Sequence, residues 1–278
     1  MCSRSGDRRR CRREHLNKAI PKGNTMHFTS ETSSNGVIER NFILDEITGV
    51  LWSPTSGTVG APLLLAGHSG GMHKKAPGLV ASALHSLTTY GFTVAAIDAP
   101  GHGDRPRNLQ DQQWAKAIHQ ARAAGEPIAP IVIDYNMSLA ERAVPEWQAT
   151  LDALRALPEI GVEAPIGYSG MTLGVVTGLM LTAIESRIAA VSFGGVFVDD
   201  ALIEAARKIT VPVEYRIPWD DEEFDRTSAI ALFEAFASKE KTLHAHSGRH
   251  YPVPEYERDS SARFFARHLG RAADTASD

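Results

Sequence analysis

Hydroxyl, carboxyl and imidazole side chains appear in an informative order along this sequence. Ser169 and Thr172 stand in a short glycine-rich stretch, Asp221 comes next, and His250 follows 29 residues after Asp221. A histidine that is oriented by a carboxylate can remove the proton from a hydroxyl group, which then attacks a carbonyl carbon. The order nucleophile, acid, histidine therefore indicates acyl-transfer chemistry.

The glycine-rich stretch contains two overlapping candidates for a nucleophile elbow, the tight strand-to-helix turn that exposes a reactive hydroxyl. Gly-x-Ser-x-Met is centred on Ser169, and Gly-x-Thr-x-Gly is centred on Thr172. The positions two residues either side of the tip must be small, because the turn brings neighbouring backbones close together. Gly170 and Gly174 flank Thr172, whereas Met171 would crowd the next strand if Ser169 were the tip. The steric rule favours Thr172, although its methyl group hinders attack and restricts χ1, so both hydroxyls remain candidates.

A second glycine-rich segment, residues 67–71, follows an early apolar run and reads Gly-His-Ser-Gly-Gly. It also matches Gly-x-Ser-x-Gly, which makes Ser69 a third nucleophile candidate. Its place before the first helix instead predicts a loop whose backbone N–H groups stabilise developing negative charge. We expect an oxyanion hole formed by Ser69, Gly70 and the N–H of the residue that follows the nucleophile. That residue is Leu173 if Thr172 is the tip, or Gly170 if Ser169 is.

Other carboxyl groups compete with Asp221 for the acid role. Asp220 adjoins it, and Asp199 and Asp200 follow an earlier predicted strand. A pair such as Asp199-Asp200 more often caps the following helix. Asp221 is favoured by the resemblance described below, because similar sequences have a hydrophobic residue, here Phe224, at this distance after the acid.

The spacing His-x-His-x3-His over His244, His246 and His250 could indicate metal ligation. However, His244 and His246 lie on a predicted strand and His250 lies beyond its end, so we predict neither a metal site nor a cofactor. His102 is expected to anchor a turn by hydrogen bonding.

Composition and charge limit the class of protein. The chain has 278 residues, 43% hydrophobic and 22% charged, which suits one globular domain with a large core. Residues 1–25 carry eight Lys or Arg against two acids, a charge of +6 that leaves −10 for the rest of the −4 total. This head, which contains both cysteines, is predicted to be a disordered basic extension upstream of Met26.

The acidic body argues against nucleic acid as a partner, and no apolar run reaches the roughly 18 residues of a membrane span. We expect a cytoplasmic enzyme that acts on a small molecule, either as a monomer or as a homo-oligomer.

Short apolar runs alternate with helical stretches from residue 36 onward. After an antiparallel pair over residues 36–53, the β-α-β rhythm predicts an α/β fold with a mostly parallel sheet and helices on both faces. Residues 105–145 contain no clear strand, and a stretch this long is usually functional. We interpret them as a small helical cap over the site, the alternative being a surface helical pair that only packs.

The chain resembles the α/β-hydrolase superfamily, in particular its bacterial branch of dienelactone hydrolases and esterases. The resemblance spans about residues 36–268 and rests on several segments taken together in chain order: Gly67–Gly71, Asp98–Gly103, the elbow, Glu185–Ile188, Trp219–Glu222 and Ser247–His250. It implies an α/β-hydrolase fold over residues 26–278 and places Thr172, where serine is usual, at the nucleophile position.

Three functions are compatible with these residues. The first is hydrolysis of a carboxylic ester or lactone by a nucleophile-His-Asp triad. The second is a non-hydrolytic elimination, cyclisation or rearrangement in which His250 acts as a general base and the hindered threonine does not attack. The third is a silent ligand-binding protein, which the presence of both Asp221 and His250 disfavours. The fold alone does not decide among them.

Overall fold

The computed structural model describes residues 25–57 and 60–270 of the chain. The basic extension predicted for residues 1–25 lies, apart from Thr25, outside the described residues. Within the part described, no helix is long and apolar enough to cross a membrane.

A nine-stranded sheet forms the centre of the molecule. Its strands are β1 (His27–Ser34), β2 (Val37–Leu44), β3 (Ile47–Pro54), β4 (Leu63–Gly67), β5 (Thr93–Ile97), β6 (Ile166–Gly170), β7 (Ile188–Phe193), β8 (Val213–Pro218) and β9 (Lys241–His246). They are arranged in the order β1-β2-β3-β5-β4-β6-β7-β8-β9. The pairs β1-β2, β2-β3 and β3-β5 are antiparallel, and every pair from β5-β4 to β8-β9 is parallel. This arrangement confirms the predicted α/β class.

Strand β1 was not predicted from the sequence. Its eight residues, His27–Ser34, are all exposed and are mostly polar. It pairs only with β2, at the edge of the sheet. An edge strand with both faces in solvent needs no alternation of apolar side chains, so the sequence carries no period-2 signal there.

Seven helices complete the described fold. They are α1 (Pro77–Tyr90), α2 (Leu109–Ala124), α3 (Ala129–Arg155), α4 (Leu173–Thr182), α5 (Asp200–Ala206), α6 (Arg226–Ala235) and α7 (Glu255–His268). Helices α1 and α7 pack against one face of the sheet around Leu64, Phe92 and Phe265. Helices α3 to α6 cover the other face around Trp147, Tyr168 and Phe193. Helices on both faces were predicted, and the structure confirms them.

The stretch predicted as a cap contains α2 and the first half of α3. Helix α2 begins after Asn108, whose side chain accepts a hydrogen bond from Asp111 N at 2.7 Å. Helix α3 extends beyond the predicted cap segment, through Pro145 to Arg155. Apolar residues beyond the proline hold this second half in the core, namely Trp147, Leu151 and Leu154. The burial of these side chains outweighs the loss of one helical hydrogen bond at the proline.

Backbone segments approach one another most closely where β6 turns into α4. A Cβ atom on Gly174 would lie 2.5 Å from the carbonyl oxygen of Gly67, at the end of β4. A Cβ atom on Gly170 would lie 2.4 Å from the carbonyl oxygen of Gly174. The turn therefore requires glycine on both sides of Thr172, because the opposing atoms belong to backbone and cannot rotate away.

Replacement of Gly174 by alanine should destabilise the fold, because the new methyl group has no space beside the backbone of β4. We expect a loss of about 3 kcal/mol and a fall in Tm of roughly 6–12 °C, measured by thermal unfolding. Gly78→Ala is the matched control, since Gly78 also lies in a first helical turn but its Cβ would meet only Tyr251 at 3.6 Å. Equal Tm values for the two variants would contradict this account of the turn.

Candidate active site

Two cavities border the loops that follow the parallel strands. The Thr172 cavity, about 460 Å³, is lined by Thr172, His250 and side chains of α2 and α3 that include Ile118, Val132 and Tyr135. The Arg216 cavity, about 330 Å³, lies against α1 and α7 and is lined by Arg216 and Ser169 among others. Four residues line both cavities: Ser69, Met72, His250 and Tyr251.

Thr172 occupies the tip of the turn between β6 and α4. Its backbone has φ 48° and ψ −108°, in the region that residues branched at Cβ rarely enter. The conformation is held by a hydrogen bond from Thr172 N to Gly195 O at 3.0 Å. Strain of this kind persists only where surrounding contacts fix it, and it is frequent at functional sites.

Ser169 lies in a different place. It is part of β6, in register with Ala66 of β4 and Ser192 of β7. It lines the Arg216 cavity and is not among the residues around the Thr172 cavity. The structure therefore brings Thr172, and not Ser169, into the cavity beneath α2 and α3.

Met171 explains why the two registers differ sterically. Its side chain lies against the end of the neighbouring strand, where a Cβ atom on Gly194 would be 1.8 Å from the Met171 sulfur. The chain accommodates the methionine only because residue 194 is glycine.

Asp221 and His250 form a hydrogen-bonded pair. Asp221 Oδ2 accepts from His250 Nδ1 at 2.6 Å and from the His250 backbone N–H at 2.7 Å. Its other oxygen accepts from Glu223 N at 2.9 Å. Burial alone would raise the pKa of the Asp221 carboxyl, but these hydrogen bonds hold the pKa below its ordinary value. The carboxylate stays ionised and fixes the imidazole so that Nε2 is free for chemistry.

The predicted oxyanion groups lie beside the threonine. Gly70 N donates a hydrogen bond to Thr172 Oγ1 at 3.1 Å. Leu173 is the first residue of α4, so its N–H has no acceptor within the helix. Among the described residues, no hydrogen bond joins His250 to Thr172 or to Ser169. The threonine hydroxyl is turned towards Gly70.

His68 fixes the loop that carries Ser69 and Gly70, a role that the sequence analysis missed. Its Nδ1 hydrogen-bonds to Ser69 O at 2.9 Å, and its Nε2 accepts from Ala99 N at 3.0 Å. Burial is the main reason that the pKa of His68 falls to about 4, so the ring is neutral and both nitrogens serve the loop. The signal was present in the Gly-His-Ser-Gly-Gly segment, but only the fold shows that Ala99 lies opposite.

The competing acids have structural partners. Asp220 Oδ2 accepts from Gly248 N at 2.7 Å, which ties the loop before His250 to the end of β8. Asp199 caps α5 by accepting from Leu202 N at 2.9 Å. Neither carboxylate contacts an imidazole nitrogen among the described hydrogen bonds.

The remaining histidines also have local partners. His244 Nδ1 lies 3.1 Å from Glu257 Oε2, and His246 Nδ1 hydrogen-bonds to Ser247 O at 3.0 Å. His102 Nδ1 hydrogen-bonds to Pro100 O at 3.0 Å and holds its own turn. Across residues 25–57 and 60–270, no group of three His, Cys, Asp or Glu side chains is arranged to hold a metal ion.

Comparisons with solved structures agree with this fold. No family model matches the sequence, and no curated protein matches it at a significant level. Among solved structures, a cold-adapted esterase from an Arctic intertidal metagenomic library is 28% identical, with a TM-score of 0.69, over 87% of this chain and 99% of that one. Two others are similar in fold alone. Acetyl xylan esterase 1 from Thermoanaerobacterium is 15% identical, with a TM-score of 0.63 and 87% of each chain covered. Dienelactone hydrolase from Anabaena variabilis is 17% identical, with a TM-score of 0.57, and the match covers 89% of this chain and 99% of that one. The chain has the α/β-hydrolase fold that its sequence predicted.

The lowered pKa of His68 makes folding sensitive to acid. Below about pH 6.5 the unfolded chain protonates this histidine, while the folded protein resists protonation until about pH 4. Stability should therefore fall as the pH drops through this window, by roughly 3 kcal/mol from this group. Chemical denaturation of His68→Gln should lose that part of the pH dependence, whereas the exposed control His119→Gln should keep it. An unchanged slope in His68→Gln would contradict the assignment.

Proposed function

We propose that this α/β-hydrolase-fold protein hydrolyses a carboxylic ester or lactone, with Thr172 as the nucleophile, His250 as the general base and Asp221 as the orienting acid. The observation that carries the proposal is the strained backbone of Thr172, which presents a hydroxyl to the cavity lined by His250. The Asp221–His250 hydrogen bond of 2.6 Å supplies the oriented base. The similarity to esterases in fold is consistent with this chemistry.

Rotation of one side chain prepares the site for attack. When Thr172 Oγ1 turns about χ1 from Gly70 towards His250, the Gly70 N–H is released for the carbonyl oxygen of the substrate. His250 Nε2 takes the hydroxyl proton as Oγ1 attacks the carbonyl carbon, and the N–H groups of Gly70 and Leu173 stabilise the oxyanion. The protonated imidazole then gives its proton to the leaving alcohol, and water releases the acyl group by the reverse proton path.

Helices α2 and α3 act as a cap that shapes the substrate pocket. Ile118 and Val132 give the Thr172 cavity an apolar wall, and the rings of Trp114 and Tyr135 stack with centroids 6.2 Å apart. The hydroxyl group of Tyr135 is buried and has no hydrogen-bond partner among the described residues. We infer a medium-sized, partly apolar small-molecule substrate with a polar atom that Tyr135 contacts.

A second candidate function is a non-hydrolytic elimination, cyclisation or rearrangement with His250 as the general base. The observation that favours it is that Thr172 Oγ1 accepts a hydrogen bond from Gly70 N at 3.1 Å, while no hydrogen bond joins Thr172 to His250 among the described residues. In this case the threonine occupies the oxyanion hole and the imidazole acts on the substrate directly.

Substitution of the hydroxyl groups separates the candidates. Thr172→Ala should lower kcat for p-nitrophenyl esters of short acids by roughly 10³-fold or more, because no covalent intermediate can form. Thr172→Ser should retain activity, since it keeps the hydroxyl and removes the hindering methyl group. Ser169→Ala is the matched control and should stay within about threefold of the wild type. A reaction that survives Thr172→Ala and is lost in His250→Ala would support the non-hydrolytic candidate.

The orphan hydroxyl of Tyr135 should contribute to substrate binding. Tyr135→Phe is expected to raise KM by roughly three- to tenfold with kcat little changed, because a uniform binding contact is lost. Tyr215→Phe is a matched control, since Tyr215 also has a buried, unpartnered hydroxyl group but lies in the core away from the cavity. Steady-state kinetics that show no difference between the two variants would argue against a contact from Tyr135.

A further inference from the structure

The Arg216 cavity is lined by positively charged side chains and does not include Thr172. It lies between the sheet and helices α1 and α7, with apolar walls from Leu64, Ala66 and Phe265. Two arginines line it, Arg216 from β8 and Arg258 from α7. No Asp or Glu side chain is among its described lining residues.

Arg216 is buried without adequate hydrogen bonding. The residue is 5% exposed, and its Nε atom has no hydrogen-bond partner among the described residues. Its Nη2 atom lies 4.0 Å from the sulfur of Met171, a weak acceptor. A buried guanidinium group in this state is costly, because the hydration that it loses on folding is not replaced.

The nearest carboxylate does not satisfy this arginine. Glu214 Oε1 is 3.9 Å from Arg216 Nε, beyond hydrogen-bonding distance. The same oxygen already accepts hydrogen bonds from the hydroxyl groups of Ser192 and Ser261. Glu214 compensates part of the charge of Arg216 without accepting a hydrogen bond from it, and Arg216 lines the cavity.

We propose that the Arg216 cavity is a binding site for a small organic carboxylate. The planar donors of Arg216 match the two oxygens of a carboxylate, and Arg258 adds a second positive charge at the wall. The hydrocarbon part of the ligand packs on Leu64, Ala66 and Phe265, which distinguishes it from an inorganic anion. A volume of about 330 Å³ suits a ligand of this size.

A ligand in the Arg216 cavity would lie next to residues that also line the Thr172 cavity. Ser69 and His250 line the Arg216 cavity as well as the Thr172 cavity. A bound carboxylate would therefore lie next to Ser69, in the loop that carries Gly70, and next to His250. The site requires no reaction at Thr172, so its existence is independent of the proposed hydrolysis.

Calorimetric titration of the full-length wild-type protein tests the chemical class of the ligand. Butyrate should bind once per chain, and its neutral isostere butyramide should bind at least about tenfold more weakly, because it lacks the charge that Arg216 pairs. Inorganic phosphate should also bind more weakly, since it has no apolar part. Butyramide or phosphate binding as tightly as butyrate would overturn the proposal.

Variants locate the site. Arg216→Met should weaken butyrate binding by about tenfold or more, and Arg258→Met should weaken it to a smaller extent. Arg263→Met is the matched control on the exposed side of α7 and should bind as the wild type does. Arg258 is half-buried, so its variant and the wild-type comparison of butyrate with butyramide decide the matter even if Arg216→Met does not fold.

Tyr135→Phe, altered in the Thr172 cavity, should leave butyrate binding unchanged. Two results would place the ligand elsewhere and overturn the proposal. One is a lower butyrate affinity in Tyr135→Phe, and the other is an affinity within about twofold of the wild type in both arginine variants.

Discussion

The contact between backbones at the turn from β6 into α4 is the constraint on which the site depends. Gly174 packs directly on the carbonyl of Gly67, and Gly170 packs on Gly174, so no side chain separates these segments. This contact sets the distance between the loop after β4, which carries Gly70, and the tip of the turn, which carries Thr172. Thr172 lies between these two glycines in its strained backbone conformation, which the hydrogen bond to Gly195 O holds.

Hydrogen bonds that involve buried side chains join the surrounding loops to one another. Asp98 is fully buried and accepts from the backbone N–H of Lys74 at 2.8 Å and from its ammonium at 2.5 Å. Its burial would raise the pKa of this carboxyl, but the hydrogen bonds keep the pKa below its ordinary value. His68 joins the Gly70 loop to Ala99, immediately after Asp98. The loops behind the reaction centre thus form one hydrogen-bonded unit, which suits a site that must hold N–H donors in fixed directions.

The face of the sheet beneath α7 departs from an ordinary apolar core. Ser192, Glu214, Arg216 and Ser261 are all buried there, in a region that helix packing normally fills with aliphatic side chains. Such a cluster stabilises a fold poorly, because desolvation of the charges offsets their attraction. Arg216 and Ser261 line the same cavity as Ser169 and His250, in agreement with the carboxylate site proposed above.

The amino-acid sequence determined the fold class, the helices on both faces and the identities of the candidate side chains, because these follow from hydrophobic periodicity and from small residues at a turn. It identified Asp221 and His250 from their order and spacing, and the glycines around Thr172 from the need for close backbone contact. The sequence did not predict β1, because an edge strand exposed on both faces has no apolar alternation. It also did not predict the continuation of α3 beyond Pro145.

Only the tertiary structure separated Ser169 from Thr172 in space, since the direction of a side chain at a strand end depends on where the strand stops and the turn begins. It alone brought Arg216 and Arg258, 42 residues apart in the chain, to one cavity. Contacts of this kind arise from the packing of α7 on the sheet, and local sequence patterns do not report them.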